Sequence, residues 1–314
     1  MNKKQKAKME TSFFDDSLYL PADVPPEKIG KFKKILKMAT GNTGRLMLFA
    51  GDQKVEHLNA DFYGKEIDQE DANPIHLFNI AAQAKIGVFA TQLGLISRYG
   101  RQFPHIPYLI KLNSKTNLVP FKQQDPISRA WYSVEQVVTF SKCAKLKVLG
   151  VGYTLYLGSN FEAEMLQEAA QIVHQAHLNG LIAVLWIYPK GKVIKDEHDA
   201  DLIAGAAGVG ASLGADFVKL KVPFSEQGFS SELLERVVRA AGNTGVLCEG
   251  GTKEEEGIFL KGLHDQIQIG TRGSGTGRNI HQRSLENAVA MANAIYAVTV
   301  EGATVADAAQ LLKV

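Results

Sequence analysis

Eight short apolar runs recur along this chain of 314 residues, separated by stretches with helical periodicity or helical end signals. They are LMLFAG (46–51), GVFAT (87–91), YLIKL (108–112), VLGVGYT (148–154), IAVLWIY (182–188), ADFVKLK (215–221), GVLCEG (245–250) and, more weakly, QIQIGTRGSG (266–275). Runs this short, with little polar alternation, suit strands buried on both faces, as in a parallel sheet. Between them, Ser159 and Glu162 read as a capping box opening a helix that ends near Gly180. The stretch 196–213 carries a stripe of Leu202, Ile203, Ala206, Val209 and Leu213 before Gly214, and 231–241 ends at Gly242. Strict alternation makes this an α/β protein. A doubly wound open sheet also alternates, but eight strands between residues 46 and 275 without a linker favour a closed (β/α)8 TIM barrel.

Residues 1–44 then form an N-terminal extension, and 45–314 a single barrel with a C-terminal helix. The extension holds two apolar-rich pieces, FFDDSLYLP and KIGKFKKILKMAT, suited to covering the barrel bottom or to a subunit contact. Lys31, Lys33, Lys34 and Lys37 read as the solvated face of a helix there. The 35 Lys and Arg nearly cancel the 33 Asp and Glu, which argues against a nucleic-acid partner held by phosphate neutralisation. Cys143 and Cys248 sit in apolar stretches and are expected as reduced, buried thiols. No segment approaches the roughly 18–20 apolar residues of a membrane span. The basic N-terminus has no apolar stretch behind it to make a secretory signal, so a cytoplasmic location is expected.

In such a barrel the reactive groups gather where strands end. Those ends supply Asp52, Gln53, Lys54, Glu56 and His57; Lys111, Asn113 and Lys115; Trp186, Tyr188 and Lys190; Lys219 and Lys221; and Glu249. Lysine inside an apolar strand is rare, because its ammonium is costly to desolvate. Lys219 and Lys221 share strand parity and are expected to face one side, with Lys111. Burial and neighbouring cations lower a lysine pKa and leave a neutral amine that can attack a carbonyl. Either lysine could serve. Tyr188 suits proton transfer or core packing, and Asp52 suits a base, a partner for the lysine, or a turn cap. Gly250-Gly251 and Gly273 to Gly277, with Arg278, read as a phosphate cradle. No dinucleotide fingerprint or Walker sequence is present. His174 and His177 read as an exposed helix face, and Glu56-His57 is a weak metal candidate.

The stretches AGDQKVEHLNADFYG (50–64), IKLNSKTNL (110–118), VGYTLYLGSN (151–160), LWIYPKG (185–191), GADFVKLK (214–221) and GTGRNIHQRS (275–284) resemble, in order, the class I fructose-bisphosphate aldolases of the archaeal and bacterial type, in the deoxyribose-phosphate aldolase superfamily. The resemblance implies a Schiff-base enzyme, without metal or other cofactor, that cleaves fructose 1,6-bisphosphate to dihydroxyacetone phosphate and glyceraldehyde 3-phosphate. It selects Lys219 over Lys221 as the imine lysine and makes Tyr188 the proton-transfer residue with Asp52. It also matches Lys111, Trp186, Gly250, Gly251, Gly277 and Arg278 to substrate-binding positions. It further implies a homo-oligomer acting on a sugar phosphate, and with no apolar span in the sequence no membrane partner is expected. Three positions depart from the family pattern: Gln53-Lys54, Lys190 and Glu249. Gln53-Lys54 and Glu249 leave room for another sugar phosphate as substrate. The alternative of another class is a non-catalytic sugar-phosphate sensor.

Overall fold

Apolar runs too short to make helices can bury both faces only if helices cover them, and the chain does this eight times. The structure is a computed structural model describing residues 19–57, 61–118, 125–224 and 228–313. Its strands are β1 (Leu46–Ala50), β2 (Val88–Gln92), β3 (Tyr108–Lys111), β4 (Val148–Leu157), β5 (Ile182–Pro189), β6 (Phe217–Leu220), β7 (Gly245–Glu249) and β8 (Gly273–Thr276). All pair in parallel, and β8 returns to β1 to close the barrel. Helix α1 (Ile29–Thr40) precedes β1. The strands are then followed in turn by α2 (Pro74–Gln83), α3 (Leu93–Tyr99), α4 (Val134–Ala144), α5 (Glu162–Leu178), α6 (Ala200–Ser212), α7 (Ser231–Ala241), α8 (Glu256–Ile269) and α9 (Leu285–Tyr296). A short α10 (Val305–Gln310) closes the series. No helix among the described residues is long and apolar enough to cross a membrane.

Several local expectations are corrected. The weak eighth run is not one strand, since residues 266–269 end α8 and β8 begins only at Gly273. QIQI alternates like a strand, but Ile267 also continues the buried helical stripe of Leu260 and Leu263, and Gly270 at φ 115° stops the helix. The sequence of β8, Gly-Ser-Gly-Thr, has little strand propensity of its own, and pairing on both sides makes it a strand. Ser159 is not a helix cap: α5 starts at Glu162, Ser159 accepts from the Phe161 N–H, and Glu162 accepts from Gly158. A capping box does open α4, at Ser133 and Gln136. Helix α6 starts at Ala200 under an Asp199 cap, and Leu202 is 38% exposed, outside its buried stripe. Cys143 is exposed; only Cys248 is buried, which pushes its thiol up to about 12.

Helix α1 packs its Phe32, Ile35, Leu36 and Ala39 where strands begin, against β1, β4 and β5. A Cβ at Gly87, just before β2, would lie 2.3 Å from the Ala39 carbonyl oxygen, so the helix sits directly on the backbone. Most of the piece FFDDSLYLP lies outside the described residues. His177 is not on an exposed face. It is 1% exposed, with Nδ1 2.7 Å from Asp23 and Nε2 3.3 Å from Asp216. With a carboxylate at each nitrogen the ring must carry both protons. Burial works against that charge, yet Asp216 and Asp23 hold the histidine pKa above its ordinary value.

Because the folded value is raised, this stabilisation is complete below the unfolded histidine pKa of about 6.5 and is lost as pH rises through the folded value. Thermal melts should therefore show His177→Gln lowering Tm most at mildly acidic pH, with the gap to wild type closing in alkali. A gap independent of pH would mean that the ring stays neutral.

Candidate active site

The C-terminal ends of the strands enclose a cavity of about 190 Å³, lined among others by Asp52, Glu56, Tyr156, Trp186, Tyr188, Lys219, Glu249 and Arg278. Lys219, on β6, is 5% exposed, and its Nζ donates to Tyr188 Oη at 3.0 Å. Its pKa is lowered, first by burial and further by the Lys111 cation, against the opposing charges of Glu249 and Asp52. Burial first, then Glu249 and Asp52, raise Tyr188 well above the ordinary phenol value, so it keeps its proton at neutral pH. The lysine needs room inside the barrel, and β8 supplies it. A Cβ at Gly275 would stand 2.6 Å from Lys219 Cε and 2.7 Å from Cδ.

Gly275→Ala should therefore leave the fold intact but push the amine off Tyr188. A displacement near 1 Å costs on the order of 100-fold in rate. Steady-state turnover against an unchanged melting curve checks this, and an unaffected rate would show that the stem has slack.

Lys111 and Asp52 form a second pair at 3.2 Å, and both are buried. Lys111 Nζ also lies 4.5 Å from the centre of the Trp186 ring, a cation–π contact between two buried side chains. Asp52 makes no side-chain cap to the turn that follows it, which frees its carboxylate for Lys111. Trp186 is buried because Gly152 opposite it has no side chain: a Cβ there would be 2.6 Å from the indole.

The glycine clusters after β7 and β8 come together. Asn279 Nδ2 donates to the carbonyls of Gly250 (2.7 Å) and Thr252 (2.8 Å), and its Oδ1 accepts from Glu254 N–H, which laces the two loops. Arg278 Nε donates to Gly251 O at 3.0 Å and its Nη1 lies 3.5 Å from Asp61, so the guanidinium is fixed beside Gly250, Gly251 and Gly277. Gly277 cannot carry a side chain, since a Cβ would meet Gln53 Nε2 at 2.4 Å and Ala50 O at 2.8 Å.

Other residues are placed differently from the expectation. Lys221 lies past the end of β6 and pairs with Glu197 at 2.8 Å at the cavity mouth, where Lys190 approaches the same carboxylate at 3.7 Å. Lys54 turns away from the cavity. Its Nζ donates to the carbonyls of Asp71 and Ala72 and lies 3.7 Å from the centre of the Phe62 ring, while burial lowers its pKa to about 8. Glu56 accepts from Tyr156 Oη at 3.0 Å and His57 faces Asp61 at 3.3 Å, and among the described residues neither belongs to a group of three metal-ligating side chains. Tyr156 was missed because β4 runs three residues beyond the VLGVGYT expectation. Period-2 parity with Thr154 would have found it.

The family model described as DeoC/LacD family aldolase matches residues 46–283. A Methanocaldococcus jannaschii protein named fructose-bisphosphate aldolase/6-deoxy-5-ketofructose 1-phosphate synthase is 52% identical over 293 residues, 93% of each chain. A class 1 fructose-bisphosphate aldolase of Thermoproteus tenax is 34% identical over 81% of this chain and 90% of its own. Among solved structures, a fructose-bisphosphate aldolase from Slackia heliotrinireducens superposes with TM-score 0.90 at 52% identity, covering 94% of this chain and 93% of its own. An archaeal fructose-1,6-bisphosphate aldolase with its catalytic lysine bound to the carbinolamine intermediate gives 0.73 at 29% identity, over 86% of this chain and 99% of its own. With these relatives and a closed barrel holding a buried lysine, the chain belongs to the DeoC/LacD family of aldolases.

Proposed function

We propose that this chain is a class I aldolase that cleaves fructose 1,6-bisphosphate reversibly to dihydroxyacetone phosphate and glyceraldehyde 3-phosphate through an imine on Lys219. The observation that carries this is the buried Lys219 amine held 3.0 Å from the Tyr188 phenol. The neutral amine attacks the ketose C2 carbonyl, and Tyr188, with Asp52 behind it, moves the protons by which the carbinolamine oxygen leaves as water. The resulting iminium is the electron sink for breaking C3–C4, so a Lewis acid is not required. One phosphate rests on Gly250, Gly251, Gly277 and Arg278, where fixed backbone groups and a guanidinium suit an anion. Lys111 pairs with Asp52 and adds to the field that lowers Lys219. Borohydride trapping with dihydroxyacetone phosphate, followed by peptide mass mapping, tests the proposal. The adduct is expected on Lys219, and no adduct, or one on another residue, overturns it.

A second reaction on the same chemistry is the one for which the Methanocaldococcus relative is also named, the synthesis of 6-deoxy-5-ketofructose 1-phosphate. Glu197 favours it, because this carboxylate neutralises Lys190 and Lys221 at the cavity mouth and weakens that end as a second phosphate site. Relative cleavage rates across a panel of ketose phosphates decide between the two. Residues 1–44 are an extension to the barrel of 45–314 in this proposal, and the enzyme works as a cytoplasmic homo-oligomer. Light scattering on the purified protein tests the oligomeric state.

A further inference from the structure

Two phenols, not one, reach the cavity. Tyr156 and Tyr188 are register partners across β4 and β5, so they stand side by side at one level of the barrel. Their surroundings differ. Tyr188 Oη receives the Lys219 proton donor at 3.0 Å, whereas Tyr156 Oη donates to Glu56 Oε1 at 3.0 Å. Tyr156 is buried, while Glu56 is only partly so and lines the cavity from the turn after Asp52. Burial and the facing Glu56 carboxylate raise the Tyr156 pKa well above the usual phenol value. It is therefore a neutral phenol whose proton already points at a carboxylate, and among the described residues no side chain is seen donating to its oxygen.

The layout of the barrel says which substrate atom this phenol meets. The phosphate cradle follows β7 and β8, and the imine lysine is on β6. A ketose whose C1 phosphate lies on the cradle and whose C2 is bonded to Lys219 extends its remaining carbons away from β7, towards β5 and then β4. Tyr188 on β5 stands beside the amine, and Tyr156 on β4 lies one strand further along that direction.

We propose that Tyr156 and Glu56 form a proton relay for the C4 oxygen, a catalytic pair separate from the Lys219–Tyr188 pair; the proposal rests on the imine mechanism given above. In cleavage, the C4 hydroxyl proton passes to Tyr156 Oη as the phenolic proton passes to Glu56. The O–H electron pair becomes the second bond of the aldehyde carbonyl as C3–C4 breaks. The C3–C4 pair forms the enamine double bond and neutralises the iminium nitrogen. In condensation Glu56 returns the proton by the same path. The phenol is neutral before and after, and no co-reactant is consumed.

The relay separates two measurable half-reactions. Dihydroxyacetone phosphate alone forms the imine and enamine on Lys219 and exchanges its C3 proton with solvent without any C4 oxygen. In the full-length enzyme, Tyr156→Phe should slow fructose 1,6-bisphosphate cleavage by about 100-fold or more. Exchange of the C3 proton into D2O, followed by NMR, and borohydride trapping on Lys219 should stay near wild type. Glu56→Gln should show the same split, and the double variant should be no slower than Tyr156→Phe alone, because the two act in series. Cleavage near the wild-type rate in Tyr156→Phe, or exchange falling in parallel with cleavage, overturns the relay. A wild-type enzyme that neither traps nor cleaves would instead overturn the imine mechanism on which it rests.

Discussion

Lys219→Met should abolish cleavage while leaving the protein folded. Removing a covalent nucleophile costs on the order of 10⁶-fold in turnover, as in enzymes where the nucleophile and its partners act as a unit. The fold should survive because methionine is unbranched and polarisable and can follow the channel beside Gly275 that the lysine stem now occupies. It also relieves the desolvation that already lowers the lysine pKa. The measurement is turnover and borohydride incorporation beside a melting curve. Residual cleavage with an adduct on Lys221 would move the chemistry to the cavity mouth.

The second large effect concerns stability. Asp52→Ala leaves the Lys111 ammonium, which is 0% exposed, without its carboxylate. Breaking a buried pair by removing one partner destabilises by about 3–5 kcal/mol. Replacing both, Asp52→Ala with Lys111→Met, should recover most of that loss, because no buried charge is left stranded and methionine still packs on Trp186. Activity should not recover. Denaturant unfolding of the single and double variants checks the first claim and turnover the second. If the single variant is as stable as wild type, Lys111 is being solvated or neutralised in place.

Much of the barrel was legible because a lysine, tryptophan or aspartate closing an apolar run stands out against its neighbours. Lys219, Tyr188 and Asp52 were visible in that way as candidates, while the choice of Lys219 over Lys221 came from the family resemblance and not from the local pattern. What local pattern could not show is where a side chain goes after its strand ends. Lys221 has the parity of Lys219, yet β6 stops at Leu220, so the next residue turns to Glu197 instead of the interior. Lys54 follows Asp52 by two residues and leaves the cavity altogether to reach two carbonyls near residue 71. His177 looked exposed because its partners, Asp23 and Asp216, are far away in sequence. The last strand was misplaced because isoleucine–glutamine alternation satisfies a short helix end as well as a strand, and the glycines of β8 carry no propensity to arbitrate.

Those glycines bear on how such a catalyst could be rebuilt. The hollow that Lys219 fills is not carved by its own strand; it is the sum of atoms absent from Gly275, two strands away on β8. A designer wishing to graft an imine-forming lysine onto another strand of a (β/α)8 scaffold must therefore transplant two things together, the amine and the emptiness facing it. A lysine moved without its facing glycine would be expelled toward the rim, where it would be solvated, cationic and chemically idle at neutral pH.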